Sequence, residues 1–195
     1  MRKMKDSEIE WIGQIPEDWS IASIRYLFKI SRGRVIAQTE LKEDGEYPVY
    51  SSQTQNDGCL GYLDTYDFNI DQLTWTTDGA NAGTVFLRHG KYNCTNICGT
   101  LQPYSSKIEL RYQKYALEYI AFYNKRVDTN GYKIMNNEMA AIKTILPSIN
   151  DQSRIADFLD DKCSKIDRYI EKQQQIIDKL KEYKQAVITE AVTKG

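Results

Sequence analysis

The chain has 195 residues, enough for one filled core and a further segment with another purpose. It is 41% hydrophobic and 27% charged, and no run reaches the ~18 apolar residues of a membrane span. Residues 1–10 are charged and read as no secretory signal, so a cytoplasmic setting is expected. A net charge of −1 argues against a protein that holds nucleic acid by its phosphates unaided.

In chain order, residues 19–30 carry Ile21, Ile24, Leu27 and Phe28, a short amphipathic helix or strand. Short β-branched or aromatic runs predict strands at 47–51, 73–77, 85–88, 92–96 and 99–102. Arg88-His89-Gly90-Lys91 predicts a tight hairpin turn between two of them. Residues 112–123 place Tyr112, Tyr115, Tyr119, Ile120 and Tyr123 on one helical face. A last strand is expected at 141–146, ending at Pro147. Strands and helices do not alternate regularly, so α+β with a mixed sheet and short helices is the expected class.

Composition changes near Pro147, which predicts domains at 1–150 and 151–195. Beyond it there is no proline, and no glycine until Gly195. Asn150 or Asp151 can cap a helix, and Asp157, Asp160 and Asp161 lie in its early turns, where the helix dipole favours acids. One seam runs Leu159, Ile166, Gln173, Leu180, Val187, and another runs Ile155, Lys162, Tyr169, Ile176, Tyr183. Their heptad spacing is that of coiled-coil core positions, and Ile170 and Ile177 widen the stripe. A helix over 155–190 would be about 50 Å long at 1.5 Å per residue, too long to be covered by the preceding domain. Its stripe is therefore expected to pair with a second helix, Gln173 and Lys162 fixing register. The competing reading folds the helix back on its own domain.

Catalytic chemistry finds little to stand on. There is no glycine-rich phosphate loop and no Walker lysine motif, and no cofactor is implied. His89 is the single histidine and has no nucleophile beside it. Cys59, Cys94, Cys98 and Cys163 lack zinc-ligand spacing, so reduced, buried thiols and no metal are expected. Asp18, Glu40 and Lys42 could be assembled into a metal-dependent nuclease site, against the plainer reading of a solvated charged turn.

The loops do offer a polar inventory. Ser51-Ser52-Gln53-Thr54-Gln55-Asn56 and Thr76-Thr77-Asp78 with Asn81 are rich in groups that hydrogen-bond base edges. Arg32, Arg34, Arg88, Lys91, Lys125, Arg126 and Lys133 could bind phosphates or guanine. The candidate DNA-contacting set is Arg32, Arg34, Gln53, Thr54, Asn56, Thr77, Asn81, Arg88, Lys91 and Lys133. Turns need Ser, Thr, Asn and Gly in any case, so composition leaves both readings open.

Three regions of the chain resemble the specificity subunits of type I restriction-modification systems. Met4-Lys5-Asp6-Ser7 and Trp11-Ile12-Gly13-Gln14-Ile15-Pro16-Glu17-Asp18-Trp19 resemble the opening of that family's recognition domains. Ile145-Leu146-Pro147, Gln152, Ile155-Ala156, Phe158-Leu159-Asp160 and Ile166-Asp167 are similar to the start of its conserved helix. Leu180 through Val192-Thr193-Lys194-Gly195 resembles that helix's close. The resemblance implies a non-catalytic target-recognition domain followed by a conserved spacer helix. It also implies double-stranded DNA, a methyltransferase subunit and a restriction subunit as partners. Lys133 matches in placement a loop that such domains point toward DNA. The family usually carries two domains and two helices, so one of each suggests a half-length form. Two copies would then pair as an isologous, antiparallel coiled-coil homodimer on an interrupted palindrome. Ile155, Leu159, Ile166, Tyr169, Gln173, Ile176, Leu180, Tyr183 and Val187 would form the seam. A coiled-coil adaptor that never touches nucleic acid is the remaining alternative.

Overall fold

Gln72–Thr76 is buried along its whole length and sits inside a four-stranded antiparallel sheet. The spatial order is Val85–Arg88, Gln72–Thr76, Cys98–Pro103, Phe28–Arg32. In this computed structural model, residues 2–10, 12–129 and 131–195 are described; Trp11 of the opening motif lies outside them. The chain divides into two compact units, one running to Arg154 and the other comprising Ile155–Gly195.

A second sheet, of four strands, is mixed. Cys59–Leu63 and Tyr47–Tyr50 pair antiparallel, Lys91–Cys94 joins Tyr47–Tyr50 in parallel, and Phe68–Asn69 closes the edge. Smaller pairings finish the unit. Met4–Asp6 meets Gln14–Pro16, and Ser20–Ser23 meets Lys143–Leu146. The hairpin Arg126–Asp128 with Gly131–Lys133 adds to Asp78–Gly79. With helices Ile24–Leu27, Leu110–Asn124 and Asn136–Ala141, the class is α+β.

The core lies between the first sheet and these helices: Leu73, Trp75, Val85 and Leu101 pack with Leu117, Ile120, Ile134 and Met139. Burying a side chain of this kind contributes about 1.5–3 kcal/mol, so the layer dominates the stability of the unit. Glu109 caps the helix Leu110–Asn124 by accepting from the Arg111 N–H at 3.2 Å.

Four sequence expectations change here. The face expected to gather tyrosines divides: Tyr112 and Ile120 are buried with Leu117 and Ala121, whereas Tyr119 and Tyr123 are exposed. Residues 19–30, expected as one helix or strand, resolve as the strand Ser20–Ser23, the single-turn helix Ile24–Leu27 and the start of the strand Phe28–Arg32. The turn after Arg88 exists, with Gly90 at φ 68°, but it is not a hairpin. Val85–Arg88 pairs with Gln72–Thr76 while Lys91–Cys94 leaves for the second sheet. The last strand starts at Lys143, because Ala141 ends the helix Asn136–Ala141.

The C-terminal helix is Ile149–Lys194, 46 residues, about 70 Å at 1.5 Å per residue. It starts earlier than the heptad seam suggested. Its first turn is capped by Ser148, whose hydroxyl accepts from the Asp151 N–H at 3.2 Å. Asn150 and Asp151 are thus already helical, and Asp151 instead binds Arg2 at 3.1 Å. Along the second unit the apolar stripe is open to solvent, with Ile166 57%, Tyr169 67%, Leu180 60% and Tyr183 68% exposed. Gln173, Ile176 and Val187 are exposed too, whereas Ile155 and Leu159 are half-buried. Among the described residues no helix is long and apolar enough to cross a membrane.

Candidate nucleic-acid interface

Three polar loops converge through hydrogen bonds that fix each to the others. Loop 52–58 leaves the strand Tyr47–Tyr50, loop 77–84 leaves Gln72–Thr76, and loop 95–97 joins Lys91–Cys94 to Cys98–Pro103. The Asn81 amide donates to the Thr54 hydroxyl at 3.1 Å. The hydroxyls of Ser52 and Thr77 both donate to the carbonyl of Ile97. The hairpin around Lys133 is brought alongside by its pairing with Asp78–Gly79, and the Ile134 N–H donates to the Thr77 carbonyl at 2.9 Å.

This cluster gathers Gln53, Thr54, Asn56, Thr77, Asn81 and Lys133 from the expected set. Their availability differs. Asn56 and Asn81 are exposed and Thr54 is half-buried. Gln53 turns its amide onto the Cys59 carbonyl, a bond that shapes its own loop. Thr77 is 1% exposed and its hydroxyl serves the fold. Lys133 is paired with Asp128 at 2.6 Å.

The remaining candidates lie elsewhere. Arg32 and Arg34 part company at Gly33. Arg32 stays in the first sheet and donates to the Asn136 side chain at 2.8 Å. Arg34 bridges toward Thr95 and pairs with Asp67 at 3.1 Å and Glu40 at 3.5 Å. Lys91 sits over the rings of Tyr66 and Tyr47, at 4.7 and 5.4 Å from their centroids. Its ammonium is held above the usual lysine range, first by the Tyr47 hydroxyl.

Arg88 is 2% exposed. Its guanidinium lies 3.5 Å from the Tyr50 ring centroid and 4.3 Å from that of Phe86. It donates to Thr74 at 3.2 Å and to the Asp57 carboxylate at 2.7 Å. In this position it holds a loop and is closed to a phosphate. A polar residue bounded by strand and turn gave no sign of burial in the sequence. Gln55 and Asp57, absent from the expected set, are exposed in the same loop. The tripeptide Asn56-Asp57-Gly58 marks a left-handed turn and was the signal available for them.

Cations beside the cluster are already engaged. Arg126 binds Glu138 at 2.6 Å, and Lys125 lies over Tyr132 at 4.2 Å and Phe122 at 4.7 Å. The residues weighed as a nuclease site are likewise engaged separately. Asp18 binds Arg2, Glu40 accepts from the Ala37 N–H, and Lys42 binds Asp64. Among the described residues no three His, Cys, Asp or Glu side chains converge on a metal position. The thiol of Cys94 is pushed well up by its hydrogen bond with Cys98 and by burial, which keeps it protonated and unreactive.

Residues 16–182 match the type I restriction modification DNA specificity domain. The chain belongs to this family. It is 40% identical over 140 residues to a putative type I specificity subunit N-terminus from Mycoplasma pneumoniae, covering 70% of this chain and 74% of that relative. It is 36% identical over 137 residues to the specificity subunit of a type I restriction enzyme of the same organism, covering 70% of this chain and 41% of that one. Among solved structures, the type I restriction-modification S subunit from M. genitalium aligns over 90% of this chain and 46% of its own, with TM-score 0.63 and 17% identity. The corresponding subunit from Thermoanaerobacter tengcongensis gives TM-score 0.66 at 14% identity over 91% and 45%.

The chain therefore spans about half the length of the solved subunits it matches. Within the family it matches the DNA specificity domain, and its fold is a mixed α+β unit followed by one long helix.

Proposed function

We propose that residues 1–150 read one half of a DNA target and that residues 151–195 pair two copies of the chain. The helices would pack antiparallel through Ile155, Leu159, Ile166, Tyr169, Gln173, Ile176, Leu180, Tyr183 and Val187. Two-fold symmetry then makes the target an interrupted palindrome, its spacer set by the helix pair. The observation that carries this reading is the open apolar stripe on a 46-residue helix. A stripe of that length is stabilised in water by a partner helix.

The net charge of −1 supports shared DNA binding. Arg34, Arg126 and Lys133 are each matched by a carboxylate, so most phosphate contacts would come from methyltransferase and restriction subunits docked on the dimer. The three-loop cluster supplies base contacts through Asn56, Asn81 and Thr54, with Lys133 released from Asp128 to a phosphate. The assembly works in the cytoplasm, where its DNA lies and where the four free cysteines stay reduced.

Sedimentation equilibrium at tens of micromolar tests the pairing, the expected mass being twice 22.6 kDa. A monomer would overturn it. Selection from a random duplex pool should return two inverted half-sites separated by unspecified bases; a single uninterrupted site would overturn the symmetric target.

A further inference from the structure

The latch between Arg88 and Asp57 has an unusual economy. Arg88 is fully withdrawn from solvent, yet the carboxylate that balances it belongs to a side chain 73% exposed. Its other partners are one hydroxyl, of Thr74, and the faces of Tyr50 and Phe86. A buried ion pair is seldom more stable than well-packed apolar residues of the same volume. Core stability therefore does not account for an arginine here, whereas geometry of the loop does.

That loop is strained where the latch grips it. Asn56 has φ 51° and ψ 44°, Asp57 has φ 51° and ψ 30°, and Gly58 follows at φ 77°. Asn and Asp tolerate the left-handed region better than other non-glycine residues, yet two in succession still cost free energy that their surroundings offset. Here the surroundings are the Arg88 Nη1–H donating to Asp57 while its Nε–H is held by Thr74, the Gln53 amide on the Cys59 carbonyl, and the Ser51 N–H donating to the Gly58 carbonyl at 3.0 Å. At the crest, Gln55 and Asn56 are exposed, and among the described residues neither side chain has a hydrogen-bond partner.

We infer that Gln55 and Asn56 are specificity-determining residues for adenine, and that Arg88, acting through Asp57, is the positioning residue that aims them. Carboxamides pair in bidentate fashion with adenine N6 and N7 in the major groove, a geometry that needs the amide planes held in place. The inference rests on the DNA-reading function proposed above and adds the base class and the residues that read it.

The test is selection from a random duplex DNA pool by the full chain and its variants, with thermal melting of each protein. Wild type should enrich adenine at one or two positions of each half-site. Q55A combined with N56A should reduce that preference about tenfold, the scale of one bidentate pair, and leave the other positions intact. D57A leaves the buried Arg88 charge without its carboxylate and should melt below wild type; selection run well below that temperature, on folded protein, should lose the same positions. D57E should restore them in part. R88K, which keeps the charge but not the planar fork, should behave as D57A does. An unchanged consensus in D57A, or an equal loss at every position, would overturn the latch while leaving DNA reading intact. No enriched sequence from wild type would sink the DNA-reading function itself, and this inference with it.

Discussion

Trp75 and Gly99 face each other across the antiparallel pair Gln72–Thr76 and Cys98–Pro103, so closely that a Cβ on Gly99 would lie 2.3 Å from the indole ring. The ring is wholly buried and its Nε1–H donates to the Ile134 carbonyl at 3.0 Å. It has nowhere to move without losing that bond. Gly99→Ala is expected to cost about 3 kcal/mol, the upper range of overpacking a filled core. Chemical denaturation should show the midpoint fall with the slope unchanged. A variant as stable as wild type would mean that the indole relocates freely.

The same tryptophan ties the core to the loop cluster. Ile134 accepts from Trp75 and donates to the Thr77 carbonyl, so one residue anchors the hairpin that carries Lys133. Trp75→Phe keeps most of the apolar volume but leaves the Ile134 carbonyl without its donor, at about 1–3 kcal/mol. Hydrogen exchange at residues 131–134 should accelerate more than exchange in Val85–Arg88. Uniform acceleration across both segments would show global destabilisation instead.

Asp128 titrates with the state of that hairpin. Its carboxyl is pulled from the ordinary 3.8 down to about 2, first by the Lys133 ammonium and then by the Thr129 N–H. A depressed folded value contributes stability that is fully present above 3.8 and is lost as pH falls through about 2. Lys133→Met should move the Asp128 midpoint upward, as read by carboxyl carbon NMR. A midpoint that stays near 2 would assign the shift to the Thr129 N–H.

Local pattern made some of this legible and long-range pairing hid the rest. Val85–Arg88 and the heptads of Ile149–Lys194 were readable because β-branched runs and seven-residue spacing are properties of neighbouring residues. The destination of Lys91–Cys94 was not, since its parallel partner Tyr47–Tyr50 lies more than forty residues earlier in the chain. Thr77 and Arg88 read as surface groups because polar chemistry is a poor sign of burial when the partner comes from a distant loop, as Asp57 does. The tyrosines of Leu110–Asn124 misled in the opposite sense. Their spacing is helical, but the buried face turns on Leu117 and Ala121. Ser148 was missed as a cap because the helix starts one turn and more before its seam begins.

Gln173 carries the most specific prediction for the helix. It stands between Ile166 and Leu180 in a seam otherwise apolar, and its neighbours along the stripe are exposed in the single chain. If two copies pair, each amide must find a polar partner across the interface, and antiparallel packing meets this only in registers that bring the two residues close. Polar core residues fix register and orientation at a cost in stability. Gln173→Leu should therefore tighten self-association, by about tenfold for ~1.4 kcal/mol of recovered burial. It should also admit parallel or slipped pairings, visible as a second distance in spin-label measurements from a probe at Lys184. Tighter association with a single unchanged distance would mean that Tyr169 and Tyr183, rather than Gln173, set the register.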